Sequence, residues 1–259
     1  MLLIETKNAL RTIALNRPEV KNAMDAATIA QITQAFLDIG PDIRAVVLKG
    51  AGEFFCAGGD LEWMKSSKNL SQAENREDAL KLARMIRAVD ECPVPVVTVV
   101  KGGAFGGGVG LVAASDIVIA EEAALFSLSE VKLGLIPATI GPVVMRKIGL
   151  SQARRLYLTG MRFSAQIAKE IGLVHEVVAA TSLTSVLQHY LAELSSAAPH
   201  AVRVAKKLIR ETMGEALWKP TVTEDTSEIL SQIRVGAEAQ EGLSAFFEKR
   251  SAAWKQSLL

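Results

Sequence analysis

Six glycines fall within the nine residues Gly102-Gly103-Ala104-Phe105-Gly106-Gly107-Gly108-Val109-Gly110, directly after the β-branched run Val94 to Val100. A strand must hand over to a helix here, because Val109 to Ala114 continues with apolar residues suited to burial. Without side chains the backbone can approach a ligand closely, and the amides that open the helix can face an anionic atom. Close packing of a short helix on a sheet would account for the glycines as well, so this stretch alone does not assign a site.

A second transition of the same kind lies upstream. Ala45 to Leu48 reads as a central strand, and Phe54-Phe55-Cys56-Ala57-Gly58-Gly59-Asp60-Leu61 runs from apolar residues into two glycines and an aspartate. Leu2 to Ile4 and Thr12 to Leu15 read as short strands. Pro18 breaks the pattern, and a helix is expected from about Asp25 to Ile39, capped by Asp25 or Asn22. Residues 62 to 77 are polar and read as a surface loop or lid, followed by the helical face Ala79, Leu82, Ala83, Ile86 and Val89. Ile117 to Ala120 is a further strand, Phe126 to Val131 a short extended element, and Gly134 to Gly141 a loop. Val143 to Ile148 and Ser151 to Leu158 are helices separated by Gly149. Ala165 to Ile171 is a short helix and Leu173 to Val177 a last strand. Leu183–Ser195, Ala201–Met213, Thr223–Ala237 and Glu241–Lys255 then read as helices with no sheet of their own. The pattern is α/β, with a core domain over residues 1–195 and a helical region over 196–259.

Composition limits the function. Twenty-nine basic against 28 acidic residues give a net charge of +1, so no basic stripe calls for nucleic acid. Two cysteines and three histidines without ligand spacing argue against a disulfide scaffold or a metal site. The N-terminus lacks the basic segment and apolar core of a signal peptide, and no run reaches the ~18 apolar residues of a membrane span. A cytoplasmic protein without a membrane partner is expected.

An ordered set of motifs resembles the enoyl-CoA hydratase/isomerase, or crotonase, superfamily. It comprises Asn16-Arg17-Pro18-Glu19-Val20-Lys21-Asn22-Ala23, Phe55 to Leu61, Gly102 to Gly108, Phe126 to Pro137, Leu158-Thr159-Gly160, Ala168 to Val174 and Glu241 to Arg250. The resemblance implies a spiral of ββα units with a helical C-terminal region that forms homotrimers or dimers of trimers. It also implies an acyl-CoA thioester as substrate, with coenzyme A arriving as part of the substrate and no tightly bound cofactor. On this resemblance the backbone amides of Ala57 and Gly107 hold the thioester oxygen as it gains charge. Glu130 is the acid/base group; its apolar surroundings would raise its pKa towards the working pH. Lys21, Phe246 and Lys249 match positions associated with CoA. Gly110 stands where the best-known hydratases carry a second glutamate, which leaves Glu130 to handle both water and proton transfer or Glu62, on the loop, to stand in. Ala138 stands where dienoyl isomerases carry a further acid. Trp63 and Met64 are candidates for the acyl pocket.

Phe55 to Lys65, Ala104 to Val112 and Leu133 to Ile140 look most like bacterial methylglutaconyl-CoA hydratases of leucine catabolism. That implies hydration or dehydration of a short branched or glutaconyl-type enoyl-CoA, 3-methylglutaconyl-CoA among them. A distal carboxylate would need a cation, for which Lys65, Arg84 and Arg87 are candidates. Two other readings stand beside this one: an isomerase that moves a β,γ double bond to α,β with Glu130 alone, and a non-catalytic CoA- or RNA-associated relative.

Overall fold

The computed structural model describes residues 1–66, 70–212 and 236–254, without the side chains of Thr212, Phe246 and Phe247. Strands β1 (Leu2–Lys7) and β2 (Leu10–Leu15) form a hairpin, and α1 (Ala26–Leu37) follows. Asp25 caps α1 by accepting the Thr28 N–H at 2.7 Å. Then come β3 (Ala45–Gly50), α2 (Leu61–Ser66), α3 (Gln72–Asp90), β4 (Val96–Val100), β5 (Gly103–Phe105) and α4 (Gly107–Ala114). β6 (Ile117–Glu121), β7 (Leu125–Ser127), α5 (Gly141–Thr159), β8 (Arg162–Ser164), α6 (Ala165–Glu170) and β9 (Glu176–Val178) complete the core. Helices α7 (Leu183–Ser196), α8 (Pro199–Thr212) and α9 (Ala237–Phe247) follow.

One sheet takes the order β1-β2-β3-β4-β6-β9, parallel from β2 onward; its inner strands are apolar runs buried on both faces. A second sheet runs β5-β7-β8, and Cys56 bridges Ala104 at its edge. The hairpin β1-β2 lies wholly in the large sheet, whereas the pairs β4-β5 and β6-β7 each supply one strand to each sheet and are followed by α4 and α5. α4 lies at the centre, with every residue from Gly108 to Ala114 buried. On the other face of the large sheet, Leu191 of α7 packs on Ala45 and Val47, and Leu183 on Val97 and Ile119.

The last strand is Glu176–Val178 and not Leu173–Val177, the final described helix is Ala237–Phe247 and not Glu241–Lys255, and two further expectations need correction. The stretch 62–77 is not a continuous loop: α2 occupies its start, and α3 begins at Gln72 behind a capping box in which Ser71 and Glu74 satisfy each other's backbone amides. Phe126–Val131 is extended only to Ser127. The chain then tightens into a 3₁₀ turn, Ser129–Leu133, closed by Gly134 at φ +72°. As expected, Gly149 (φ 74°, ψ 161°) separates a pair of helical stretches within α5. The expected helix Thr223–Ala237 lies almost wholly outside the described residues. Among those described, no helix is long and apolar enough to cross a membrane.

Candidate active site

The two glycine transitions meet. Phe105 N–H donates to the Cys56 carbonyl at 3.0 Å and Cys56 N–H to the Gly103 carbonyl at 3.2 Å. A Cβ on Gly58 would sit 2.9 Å from the Phe105 carbonyl oxygen, and one on Gly108 would sit 2.7 Å from that of Cys56. Only glycine permits this approach. At Gly58 (φ +95°) and Gly106 (φ +48°) the backbone conformation demands it too.

Which amides remain open follows from the surrounding bonds. The Ala57 N–H already donates to the Lys21 carbonyl at 3.0 Å, so the donor expected there is not free. Met24 donates to the Gly58 carbonyl at 2.7 Å and accepts from Asp60 N–H at 2.9 Å. In that parallel pairing the N–H of the residue between them, Gly59, turns away from Met24. Among the described residues it meets no protein acceptor. Gly107 opens α4, whose N-cap Gly106 has no side chain to cap it, so the Gly107 N–H is equally open. The partial positive charge of the helix start lies at that amide.

Glu130 stands beside this turn. A Cβ on Gly106 would lie 3.1 Å from Glu130 Oε1. Its Oε2 is buried with no hydrogen-bond partner. Burial raises the Glu130 carboxyl above its ordinary pKa. Burial, and then the Glu130 charge, push the Tyr157 hydroxyl up to about 12; it donates to the Gly141 carbonyl at 3.2 Å. Burial also pushes the Cys56 thiol up to about 12, so Cys56 is a packing residue and not a nucleophile at neutral pH.

The walls are apolar. Met24 Cε would lie 2.8 Å from a Cβ on Gly107, with Leu82 Cδ1 at 3.8 Å. Met64 Sδ and Trp63 Cζ3 lie 3.3 and 3.7 Å from a Cβ on Gly59, which places both expected pocket residues against the open amide. The space beside Gly110 is taken: a Cβ there would meet Ile140 Cγ2 at 2.4 Å and Ile86 Cδ1 at 2.9 Å. Sequence reasoning missed Ile140. It picked Ala138, which is exposed, whereas Ile140 two residues on is buried against α4.

Glu62 does not replace the absent carboxylate. Its side chain is 84% exposed and sits 3.6 Å from Lys65. Arg84 pairs with Glu77 and Arg87 with Glu91, all exposed on α3 or at its C-cap. Lys21 is exposed at the mouth of the Ala57 turn, its Nζ 5.7 Å from the Phe54 ring centre. Lys249 is exposed just beyond α9, and the Phe246 side chain lies outside the described residues. Among the described residues no three His, Cys, Asp or Glu side chains gather as metal ligands would.

Comparison with known proteins finds similarity along nearly the whole chain. The family model described as Enoyl-CoA hydratase/isomerase matches residues 5–257. The crystal structure of an enoyl-CoA hydratase from Shewanella pealeana is 39% identical, with a TM-score of 0.93 over 98% of this chain and 95% of that one. The structure of Pseudomonas aeruginosa AtuE is 35% identical, with a TM-score of 0.94 over 98% and 99%. Among curated proteins, the mevalonyl-coenzyme A hydratase sidH of Aspergillus fumigatus is 34% identical over 257 residues, covering 95% of this chain and 92% of that protein.

Proposed function

Since the chain belongs to the enoyl-CoA hydratase/isomerase family, we propose that it hydrates a short, branched enoyl-CoA, or dehydrates the corresponding 3-hydroxyacyl-CoA. The thioester oxygen accepts from the Gly59 and Gly107 amides. The bonds strengthen as the oxygen gains charge, which lowers the barrier and not merely the energy of the bound substrate. Glu130, as carboxylate, takes a proton from water while the water oxygen bonds to Cβ. The electron pair of the double bond moves onto the thioester as an enolate. Glu130 then returns the proton to Cα on the same face, so addition is syn and one water is consumed. The observation that carries this reading is the unpartnered, buried Oε2 of Glu130 beside the uncapped start of α4.

An apolar acyl pocket favours an uncharged branch over a glutaconyl carboxylate. Met24, Met64 and Leu82 surround the open amides, while Lys65, Arg84 and Arg87 each keep an exposed carboxylate partner. The mevalonyl group in the name of the Aspergillus relative is itself branched at C3. Within the same reading Lys21 meets a CoA phosphate, Phe246 covers the adenine, and Lys249 serves a neighbouring subunit of a homotrimer.

The packing of Ile140 against Gly110 supports a second reading. With one carboxylate, Glu130 could instead carry a proton from Cα to Cγ of a β,γ-enoyl-CoA. The two separate in ¹⁸O-labelled water with a panel of neutral branched, straight-chain and glutaconyl enoyl-CoA thioesters. Hydration places ¹⁸O in the product hydroxyl; isomerisation moves the double bond with none. Glu130→Gln should lower turnover by about 10²–10⁴-fold, and unchanged turnover refutes the role of Glu130.

A further inference from the structure

Two glycines in succession leave the Gly58-Gly59 turn without side chains to restrain it, yet a fixed donor is useful only if its direction is fixed. Backbone pairing with Met24 holds part of the turn, and one guanidinium adds a side-chain restraint. Arg17 donates through Nη2 to Asp60 Oδ2 at 2.9 Å and through Nη1 to the Ala23 carbonyl at 2.8 Å, with Asp25 Oδ2 3.2 Å from Nη1. Arg17 is itself held, its own N–H donating to Asn22 Oδ1 at 2.8 Å. Asp60 uses its other oxygen to accept the Glu62 and Trp63 amides at 2.9 and 3.2 Å.

The side chains of Arg17 and Asp60 are 21% and 10% exposed. An ion pair so placed gains little net stability over an apolar pair of the same shape, because desolvation offsets most of the attraction. Its planar fork does fix geometry, and it does so on the residue that follows Gly59. The backbone pairing through Met24 grips the same turn from the same side. Through the Asp60 side chain, the clamp also orders the first turn of α2, which lays Trp63 and Met64 against Gly59.

We propose that Arg17 and Asp60 are positioning residues that aim the Gly59 amide at the thioester oxygen and seat α2 beside it. This rests on the reading of Gly59 and Gly107 as the oxyanion donors. The test uses the full-length protein with Arg17→Lys, which keeps the charge and loses the fork, and Asp60→Asn, which keeps the shape and loses the charge. Two readouts are taken: kcat against KM on the best enoyl-CoA, and the ratio of affinities for a 3-oxoacyl-CoA, which binds as an enolate, and the saturated acyl-CoA of the same length. Misaiming one donor should lower kcat by about 10–100-fold while KM stays within about threefold. The preference for the 3-oxoacyl thioester should fall in proportion. If the wild type turns over enoyl-CoA and prefers the 3-oxoacyl thioester, and both variants keep both properties, the clamp is wrong and the donors stand. An equal loss of affinity for both thioesters also overturns it, since that marks a general structural role. A wild type lacking both properties removes the donor reading, and the clamp with it.

Discussion

Gly110 and Ile140 make the most exacting test of the site's shape. In an open position within a helix, Gly→Ala stabilises by about 1 kcal/mol. Here the new methyl would lie 2.4 Å from Ile140 Cγ2 and 2.9 Å from both Ile140 Cβ and Ile86 Cδ1, well inside contact distance. Overpacking of that kind costs about 1–3 kcal/mol, so Gly110→Ala should destabilise despite its better propensity. Ile140 is 1% exposed, and Ile140→Ala should lose about 2–5 kcal/mol through lost burial and the void left behind. The void and the added methyl occupy the same place, because the truncation removes Cγ2, the nearest clashing atom. The double variant should therefore be more stable than the sum of the singles by about 1–2 kcal/mol. Denaturant titration at one fixed protein concentration, followed by tryptophan fluorescence, measures the cycle. Additivity within about 0.5 kcal/mol, or a Gly110→Ala variant more stable than wild type, would show that Ile140 does not fill this space. The same geometry says that Gly110→Glu alone cannot install a second carboxylate, since Ile140 must be shortened first.

Glu130→Gln should raise stability at pH 8 while it removes activity. The folded protein holds the Glu130 proton above the ordinary value of 4.5, so it binds more protons than the unfolded chain in the window from 4.5 up to the raised pKa. Stability therefore falls as pH rises through that window, and the Gln variant lacks the fall; a variant less stable than wild type at pH 8 contradicts the burial argument. At the far end of the core, Lys206 Nζ donates to Asp116 Oδ2 at 2.6 Å and to the Val94 carbonyl at 3.0 Å, tying α8 to the start of β4. The lysine is 13% exposed, while Asp116 is 32% exposed and keeps the Val96 N–H at 2.7 Å, so Lys206→Met should cost about 1–3 kcal/mol, and adding Asp116→Asn should restore some of it in a thermal melt. A loss under about 1 kcal/mol would mean that α8 is held by other contacts.

What could be read from the chain was local chemistry. The glycine run announced α4 and its open start, and Asp25 announced α1. The capping box at Ser71 and Glu74 was equally plain, yet the polar composition of residues 62–77 hid it. Three-residue strands such as β5 and β8 exist only because distant partners pair with them, so no local pattern marks them. The choice between Ala57 and Gly59 is of the same kind. Both lie in the right motif, but the Lys21 carbonyl, brought there by the Pro18 turn, takes up the first amide and leaves the second. Ile140 stayed hidden because its effect is exerted on a glycine thirty residues earlier.

Taken together, these contacts tie the acid's behaviour to the absence of its expected companion. A second carboxylate beside Glu130 would raise the cost of ionising either group and would hold water between them. Ile140 and Ile86 fill the space beside Gly110 with hydrocarbon instead, and burial is the leading cause of the raised Glu130 pKa. On the proposed reading, a proton that Glu130 removes returns from Glu130 itself. Hydration then runs through the enolate of a 3-hydroxyacyl thioester and double-bond migration through a dienolate, and the same two amides would hold the oxygen of either. They differ in substrate and in proton path: water adds at Cβ of an α,β-enoyl thioester in the first, and the proton moves from Cα to Cγ of a β,γ-enoyl thioester in the second. Shortening Ile140 opens the space beside Gly110, and a rise in hydration relative to migration in that variant is the result that would tie this wall to the choice between the two reactions.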